Sequence, residues 1–223
     1  MAPPPARVAE PLWLRAFATP EAVQRYASPS TYAEGRQGAA PSPLAQTAGL
    51  GRFRRGDLIH RLLQLLPDLP EAARADGAER LLLKERDLTA EQRGEMAAAA
   101  LGVLNDPTFA EVFGPGSRAE AAVAGTAAAL PRRLAISGRV DRMVVTPGRV
   151  LVVDFKSNRP SPVRIEDADE AYLIQMAIYV AVLRAIFPER AVEAALVWTD
   201  GPRLMPIPEN LVETMLAQIG ETD

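Results

Sequence analysis

Between Leu134 and Lys156 the chain reads as two strand-forming runs joined by Thr146-Pro147-Gly148-Arg149. Pro-Gly marks a tight turn. The flanking runs, Leu134–Val145 and Arg149–Lys156, have strand composition, with Val150-Leu151-Val152-Val153 as the apolar centre of the second. A turn centred between Pro147 and Gly148 sets the register. Val145 then faces Val150 and, stepping outward, Asp141 faces Asp154. Carboxylates placed opposite each other, with Cβ atoms about 5 Å apart, repel. Asp154 also ends an apolar run, where burial penalises its charge. Such a pair is tolerated when a cation lies between its members. Lys156, two residues beyond Asp154, shares its face by the strand's period of two. A slip of one residue would separate the two aspartates.

Two converging carboxylates beside an ammonium suit a hard divalent cation such as Mg²⁺. The cation would neutralise the carboxylates, orient a phosphodiester and lower the pKa of a bound water. The lysine would stabilise charge on the scissile phosphate or help place the attacking water. In isolation, an Asp-x-Lys on a strand is usually a strand-end acid with a solvated lysine. The facing Asp141 strains that reading.

The remaining elements frame this hairpin. Residues 1–50 hold eight of the twenty prolines and read as a linker or extended arm, with a short helix near Pro20–Tyr26. From Arg52 a helix carries Leu58, Ile59, Leu62, Leu63, Leu65 and Leu66 as an apolar stripe. A second helix is expected over Glu71–Glu85. A third runs from a Thr89/Gln92 capping box to about Leu104. Asp106-Pro107 starts a short helix through Phe113. Residues 118–124 form a weak, alanine-rich strand. After the hairpin come a helix over Ala168–Phe187, a strand over Ala194–Thr199, a turn at Asp200-Gly201-Pro202 and a final helix from Pro208. The fold class is α/β: a mixed sheet flanked by helices, with a mostly helical N-terminal half.

Composition closes off other chemistries. There is no cysteine, so no disulfide, thiolate zinc site, iron–sulfur cluster or cysteine nucleophile. His60 is the single histidine, and Lys84 and Lys156 are the only lysines among 25 basic residues. No Gly-Lys phosphate loop and no G-x-S-x-G elbow occurs. A net charge of −3 provides no overall basic field. No apolar run reaches membrane-spanning length, and a cytoplasmic location is expected. A lone histidine on an apolar helix is more often a core or surface residue than a ligand. Gln175 and Tyr179 share a helix face, and from spacing alone they are equally a polar edge of a core helix. Arg52, Arg54, Arg55 and Arg61 form either a phosphate-facing patch or an ordinary solvated face.

Gly138-Arg139-Val140-Asp141, Asp154-Phe155-Lys156 and Gln175-Met176-Ala177-Ile178-Tyr179, preceded by the Gly56 to His60 helix, resemble the RecB-type nuclease domain of the PD-(D/E)XK superfamily. These are that family's G-x-x-D, D-x-K, Q-x-x-x-Y and G-x-x-x-H motifs, in order, over about residues 52–219. Within the group, the chain is similar to the C-terminal nuclease domain of AddA subunits of bacterial AddAB helicase–nucleases. The cysteine-free composition separates it from the iron–sulfur relatives, AddB and the Cas4 group. The resemblance implies a restriction-endonuclease-like fold, with a nuclease domain over residues 51–223. It implies His60, Asp141, Asp154 and the Phe155 carbonyl as metal ligands, Lys156 as the catalytic lysine, and Gln175 and Tyr179 as residues lining the site. It further implies Mg²⁺ as cofactor, with Mn²⁺ able to substitute, single-stranded DNA delivered by a helicase, an AddB-type partner subunit, and a bacterial cytoplasmic setting in double-strand-break repair. No helicase motif is present, so the chain reads as an excised domain or a stand-alone relative, and ATP dependence is not assigned to it.

Two other functions stay open at this stage. One is a nuclease-fold docking or scaffold module with little activity outside its complex. The other is a metal-dependent hydrolase of small phosphoesters.

Overall fold

The structure is a computed structural model describing residues 25–36, 52–132 and 134–220. It contains a six-stranded mixed sheet. The strands are β1 (Arg25–Ala27), β2 (Ser117–Gly125), β3 (Leu134–Val145), β4 (Arg149–Lys156), β5 (Ala191–Trp198) and β6 (Arg203–Ile207). The helices are α1 (Pro29–Arg36), α2 (Arg52–Leu65), α3 (Glu71–Leu82), α4 (Ala90–Asn105), α5 (Glu170–Ile186) and α6 (Glu209–Gly220).

The hairpin has the register set by its turn: Val145 pairs with Val150, Val144 with Leu151, Met143 with Val152 and Arg142 with Val153. Beyond that point the two strands part. β3 is long enough to serve three neighbours. β2 runs antiparallel to it from Ser117 to Gly125, while β1 pairs in parallel with Leu134–Ile136. The interval of β3 between the parts paired with β1 and with β4 contains Gly138, Arg139 and Asp141. β4 continues in parallel to β5, and β5 turns back to β6.

The sheet divides the core into two layers. Alternating residues of β4 go to opposite sides: Val150 and Val152 pack with α5 and α6, whereas Leu151, Val153 and Phe155 pack with α2, α3 and α4. α5 is buried from Leu173 to Leu183, between the sheet on one side and α1 and α6 on the other. A helix apolar around its whole circumference suits that position. Opposite it, Ile59, Leu62, Leu63 and Leu66 of the α2 segment are fully buried. Leu65, expected in this stripe, is exposed at the last residue of α2. The Thr89/Gln92 capping box forms as expected, with both reciprocal hydrogen bonds present.

Several expectations are corrected. Residues 25–36 lie within the stretch read as an irregular arm, yet they form β1 and α1, and α1 packs on α5. Ser28 Oγ accepts from the Thr31 amide, and Pro29 opens the helix. These prolines and serines therefore start structure here. The short helix expected near Pro20–Tyr26 is strand at Arg25 and Tyr26, and the rest of it lies outside the described residues. The helix expected over 106–113 shrinks to one 3-10 turn at Pro107–Phe109, capped by Asp106. β6 adds a strand after the Asp200-Gly201-Pro202 turn; its Pro206 is tolerated because β6 is an edge strand. No helix among the described residues is long and apolar enough to cross a membrane.

Leu63 is buried where α2 meets the back of the sheet. Leu63→Ala is expected to cost about 2–5 kcal/mol, read as a lower urea midpoint with an unchanged slope.

Candidate active site at the parting of β3 and β4

Asp141 stands where the ladder between β3 and β4 stops. Its Oδ2 accepts the Phe155 amide at 2.7 Å, so the side chain replaces the next backbone bond. The same oxygen lies 3.4 Å from His60 Nδ1 on α2. The His60 ring meets Phe155 edge to face, with centroids 5.9 Å apart. Asp154 takes the other side of the sheet, toward α5. Its Oδ1 accepts from Gln175 Nε2 at 3.0 Å, and its Oδ2 lies 2.6 Å from Lys156 Nζ. That second contact is an ion pair without hydrogen-bond geometry, so Oδ2 is buried and lacks a hydrogen-bond donor. Gln175 Oε1 accepts from Lys156 Nζ at 3.4 Å, so one amide spans both charges. Tyr179, one turn further along α5, donates to the Arg139 carbonyl at 2.8 Å. The ordinary reading of Gln175 and Tyr179 as a polar helix edge does not fit, because both are buried.

The single-face picture of Asp141 and Asp154 is also modified. Upstream, Leu134, Ile136 and Val140 of β3 point to the α5 layer; downstream, Val144 points to the α2 layer. The alternation therefore inverts around Asp141. Opposite this position on β2 is Glu120, between the pairs Ala119–Arg142 and Ala121–Val140, with φ at 51°. A non-glycine residue in that region is strained, and such residues concentrate at functional sites. The inversion directs Asp141 to His60 and the β4 backbone, while Asp154 keeps to the α5 face.

The electrostatics follow from burial. Burial works against the charge of Asp141, but His60 and the Phe155 amide outweigh it and hold the carboxyl below its usual range. Burial pushes Asp154 up, aided by Asp141 and opposed by Lys156. Burial would lower His60, yet Asp141, with Asp154 behind it, raises it. Lys156 is likewise raised, because Asp154 outweighs desolvation. Glu120 is raised by burial and then by Asp141, which makes it a third acid facing this cluster. It lies in an alanine-rich strand and carries no motif that would single it out. Burial, followed by the nearby aspartates, raises Tyr179 well above the usual phenol range.

As they stand, no three His, Asp or Glu side chains among the described residues are grouped closely enough to enclose a metal ion. The donor types nonetheless fit a hard divalent cation. Asp141 and His60 stand at the parting of the strands, and the buried Asp154 carboxylate lies on the α5 side with Oδ2 against the Lys156 ammonium. The arginine patch expected on α2 is largely spoken for. Arg54 pairs with Asp87 and Glu85, Arg55 pairs with Glu95, and Arg61 lies 4.0 Å from Glu85. The side chain of Arg52 lies outside the described residues.

Gly138 has a steric reason to be glycine. A Cβ there would sit 2.7 Å from the Tyr179 hydroxyl and 2.8 Å from Pro29 Cδ. Gly138→Ala is expected to lift Tyr179 off the Arg139 carbonyl and cost about 1–3 kcal/mol, measurable by chemical denaturation. A second expectation concerns pH. The raised His60 stabilises the metal-free fold fully below the ordinary imidazole value, about 6.5. That contribution is lost as pH rises through the raised folded value. Thermal melts in EDTA should therefore fall as pH rises above that value, and His60→Asn should flatten this part of the profile.

No curated protein sequence matches the chain significantly. Among solved structures, the crystal structure of SSO0001 aligns at 14% identity over 86% of this chain and 81% of that one. The TM-score of that alignment is 0.34. The match to a family is broad: residues 28–218 fit the PD-(D/E)XK nuclease superfamily, from the turn before α1 to the last turns of α6. With the hairpin acids, the strand lysine and strands β2 to β6 within the matched span, the chain belongs to the PD-(D/E)XK nuclease superfamily.

Proposed function

We propose that the chain is a metal-dependent DNA nuclease module that hydrolyses phosphodiester bonds of single strands, as an exonuclease within a helicase–nuclease assembly. The observation that carries this reading is the buried Asp154–Lys156–Gln175 cluster beside Asp141 and His60. Asp141, Asp154, His60 and the Phe155 carbonyl are the groups that would hold Mg²⁺, or Mn²⁺ in its place. When bound, such a cation supplies charge neutralisation and Lewis acidity toward the phosphate.

The chain's own residues have distinct tasks. Lys156 keeps its proton at Nζ, since Asp154 holds it charged, and this places a fixed positive charge where the phosphorane gains negative charge. Gln175 locks the lysine and Asp154 into one orientation. Tyr172 covers the other side of the ammonium, 3.8 Å from its ring centroid, and limits its motion. Tyr179 keeps its hydroxyl on the Arg139 carbonyl and so holds β3 in place.

An AddB-type partner, and a place in double-strand-break repair, rest on the motif resemblance and belong to the same proposal. The test uses the purified full chain, single-stranded DNA and Mg²⁺ or Mn²⁺. Cleavage is expected, and Asp154→Ala and Lys156→Ala should each lower the rate by at least about 10²-fold, with circular dichroism confirming that they fold. Tight binding of a partner protein without cleavage, alone or in complex, would instead identify a docking module. Turnover of a nucleotide-sized phosphoester but not of DNA would identify a small-substrate hydrolase.

A further inference from the structure

Arg142 follows Asp141 on β3 and is only 4% exposed. Burial works against its charge, and Asp68 offsets this without bonding to it. A guanidinium buried without a bonded carboxylate is costly. Its bonded partners are neutral. Nη2 donates to the Leu63 carbonyl of α2 at 3.0 Å. Nη1 donates to Ser117 Oγ at 3.0 Å, and that hydroxyl donates in turn to the Val112 carbonyl at 2.6 Å. The guanidinium lies over the Phe113 ring, 4.9 Å from its centroid. Phe113 stacks on Phe155, with centroids 6.1 Å apart and planes within 7°. Phe155 is the residue whose amide Asp141 holds and whose ring His60 meets edge to face.

The bond to Leu63 has a local cause. In an α-helix that carbonyl would accept from residue 67. Residue 67 is Pro67, which has no N–H to give. α2 ends at Leu65 and passes into a 3-10 turn over Leu66–Asp68. The last carbonyls of a helix also carry the negative end of its dipole and favour a cation. Arg142 supplies both the donor and the charge. The same bond ties α2 to β3. Leu63 lies three residues beyond His60, on the neighbouring position of one helix face, and Arg142 is the residue next to Asp141. Consecutive strand residues ordinarily point to opposite sides, but the inversion of β3 lets both reach α2. Helix and strand are thus joined at two adjacent points, His60 to Asp141 and Leu63 to Arg142.

We propose that Arg142 is a positioning residue of the site. By taking the carbonyl that Pro67 cannot serve, it sets where α2 lies against β3, and with it the place of His60 beside Asp141. This rests on the nuclease reading and deepens it, since Arg142 acts on the site through His60 and touches neither metal nor substrate. The planar fork matters. One guanidinium serves Leu63 and Ser117 together while its face covers Phe113, which a single ammonium does not do.

The test is an NMR measurement on the full chain in EDTA, without nucleic acid. His60 is the single histidine, so its ring gives one Cε1–H signal. In the unaltered protein that signal should show a nuclear Overhauser cross-peak to the Phe155 ring. Arg142→Met keeps an unbranched apolar stem but removes the donors. The cross-peak should be lost and the His60 signal shifted. Adding Pro67→Ala returns an N–H to residue 67, and so a donor for the Leu63 carbonyl. This double variant should regain the cross-peak. An Arg142 that serves stability alone would lower the melting temperature of Arg142→Met and leave the cross-peak of the folded protein in place, which overturns the proposal. If Arg142→Met fails to fold, the double variant decides. Folding with the cross-peak supports the proposal, whereas failure to fold, or folding without the cross-peak, overturns it. Cleavage of single strands by the unaltered protein with Mg²⁺ is scored separately. An unmoved His60 leaves the nuclease reading standing where cleavage is seen, and absence of cleavage overturns that reading without altering the NMR result.

Discussion

Two carboxylates enter the interior of this protein from one hairpin, and each has a basic side chain beside it. His60 lies against Asp141, and Lys156 against Asp154. A buried charge without compensation costs several kcal/mol, so the rest of the architecture can be understood as what holds these pairs. α5 carries an almost wholly apolar surface, and its two buried polar groups, Gln175 and Tyr179, are spent on Asp154 and on the β3 backbone. α2 brings His60 to the opposite side of the sheet on a face anchored by Ile59, Leu62 and Leu63. Neither helix can shift without exposing or orphaning a charge.

The site also depends on a local irregularity. A regular three-stranded ladder would leave no opening between β3 and β4. Here the strands part beyond the Arg142–Val153 pair, Asp141 takes over the Phe155 amide, and Glu120 adopts a left-handed backbone opposite. Gly138 lets Pro29 and Tyr179 close over the same stretch. Strain and close approach are thus concentrated within a few residues of the two acids, where rigid placement matters most.

Much of this was legible in the sequence because it rests on local rules. The Pro-Gly turn fixed the hairpin register, and both strand boundaries follow from it. The Thr89 capping box and the apolar spacing of α2 are likewise written within single elements. What escaped depends on distant contacts. Ser28-Pro29 is a helix start that only the packing of α1 on α5 makes worthwhile, and the proline content around it concealed it. Pro206 concealed β6, since only its edge position makes a proline acceptable. Glu120 sits in a strand of alanines, and nothing in its neighbours announces that it faces Asp141. Arg142 is one arginine among many, and only the meeting of α2 with β3 brings it to the carbonyl that Pro67 cannot serve. The order of the motif residues along the chain was readable. The division of the two acids between opposite sides of the sheet was not, because it arises from the inversion of β3.

The proposed nuclease function requires Asp141 and Asp154 to hold a divalent cation together at the parting of β3 and β4. Calorimetric titration of Mn²⁺ into the full chain, beside a variant carrying both Asp141→Asn and Asp154→Asn, tests it most directly. Saturable binding by the unaltered protein that is lost in the variant is the predicted result. Binding of equal strength and stoichiometry in both proteins would contradict the account.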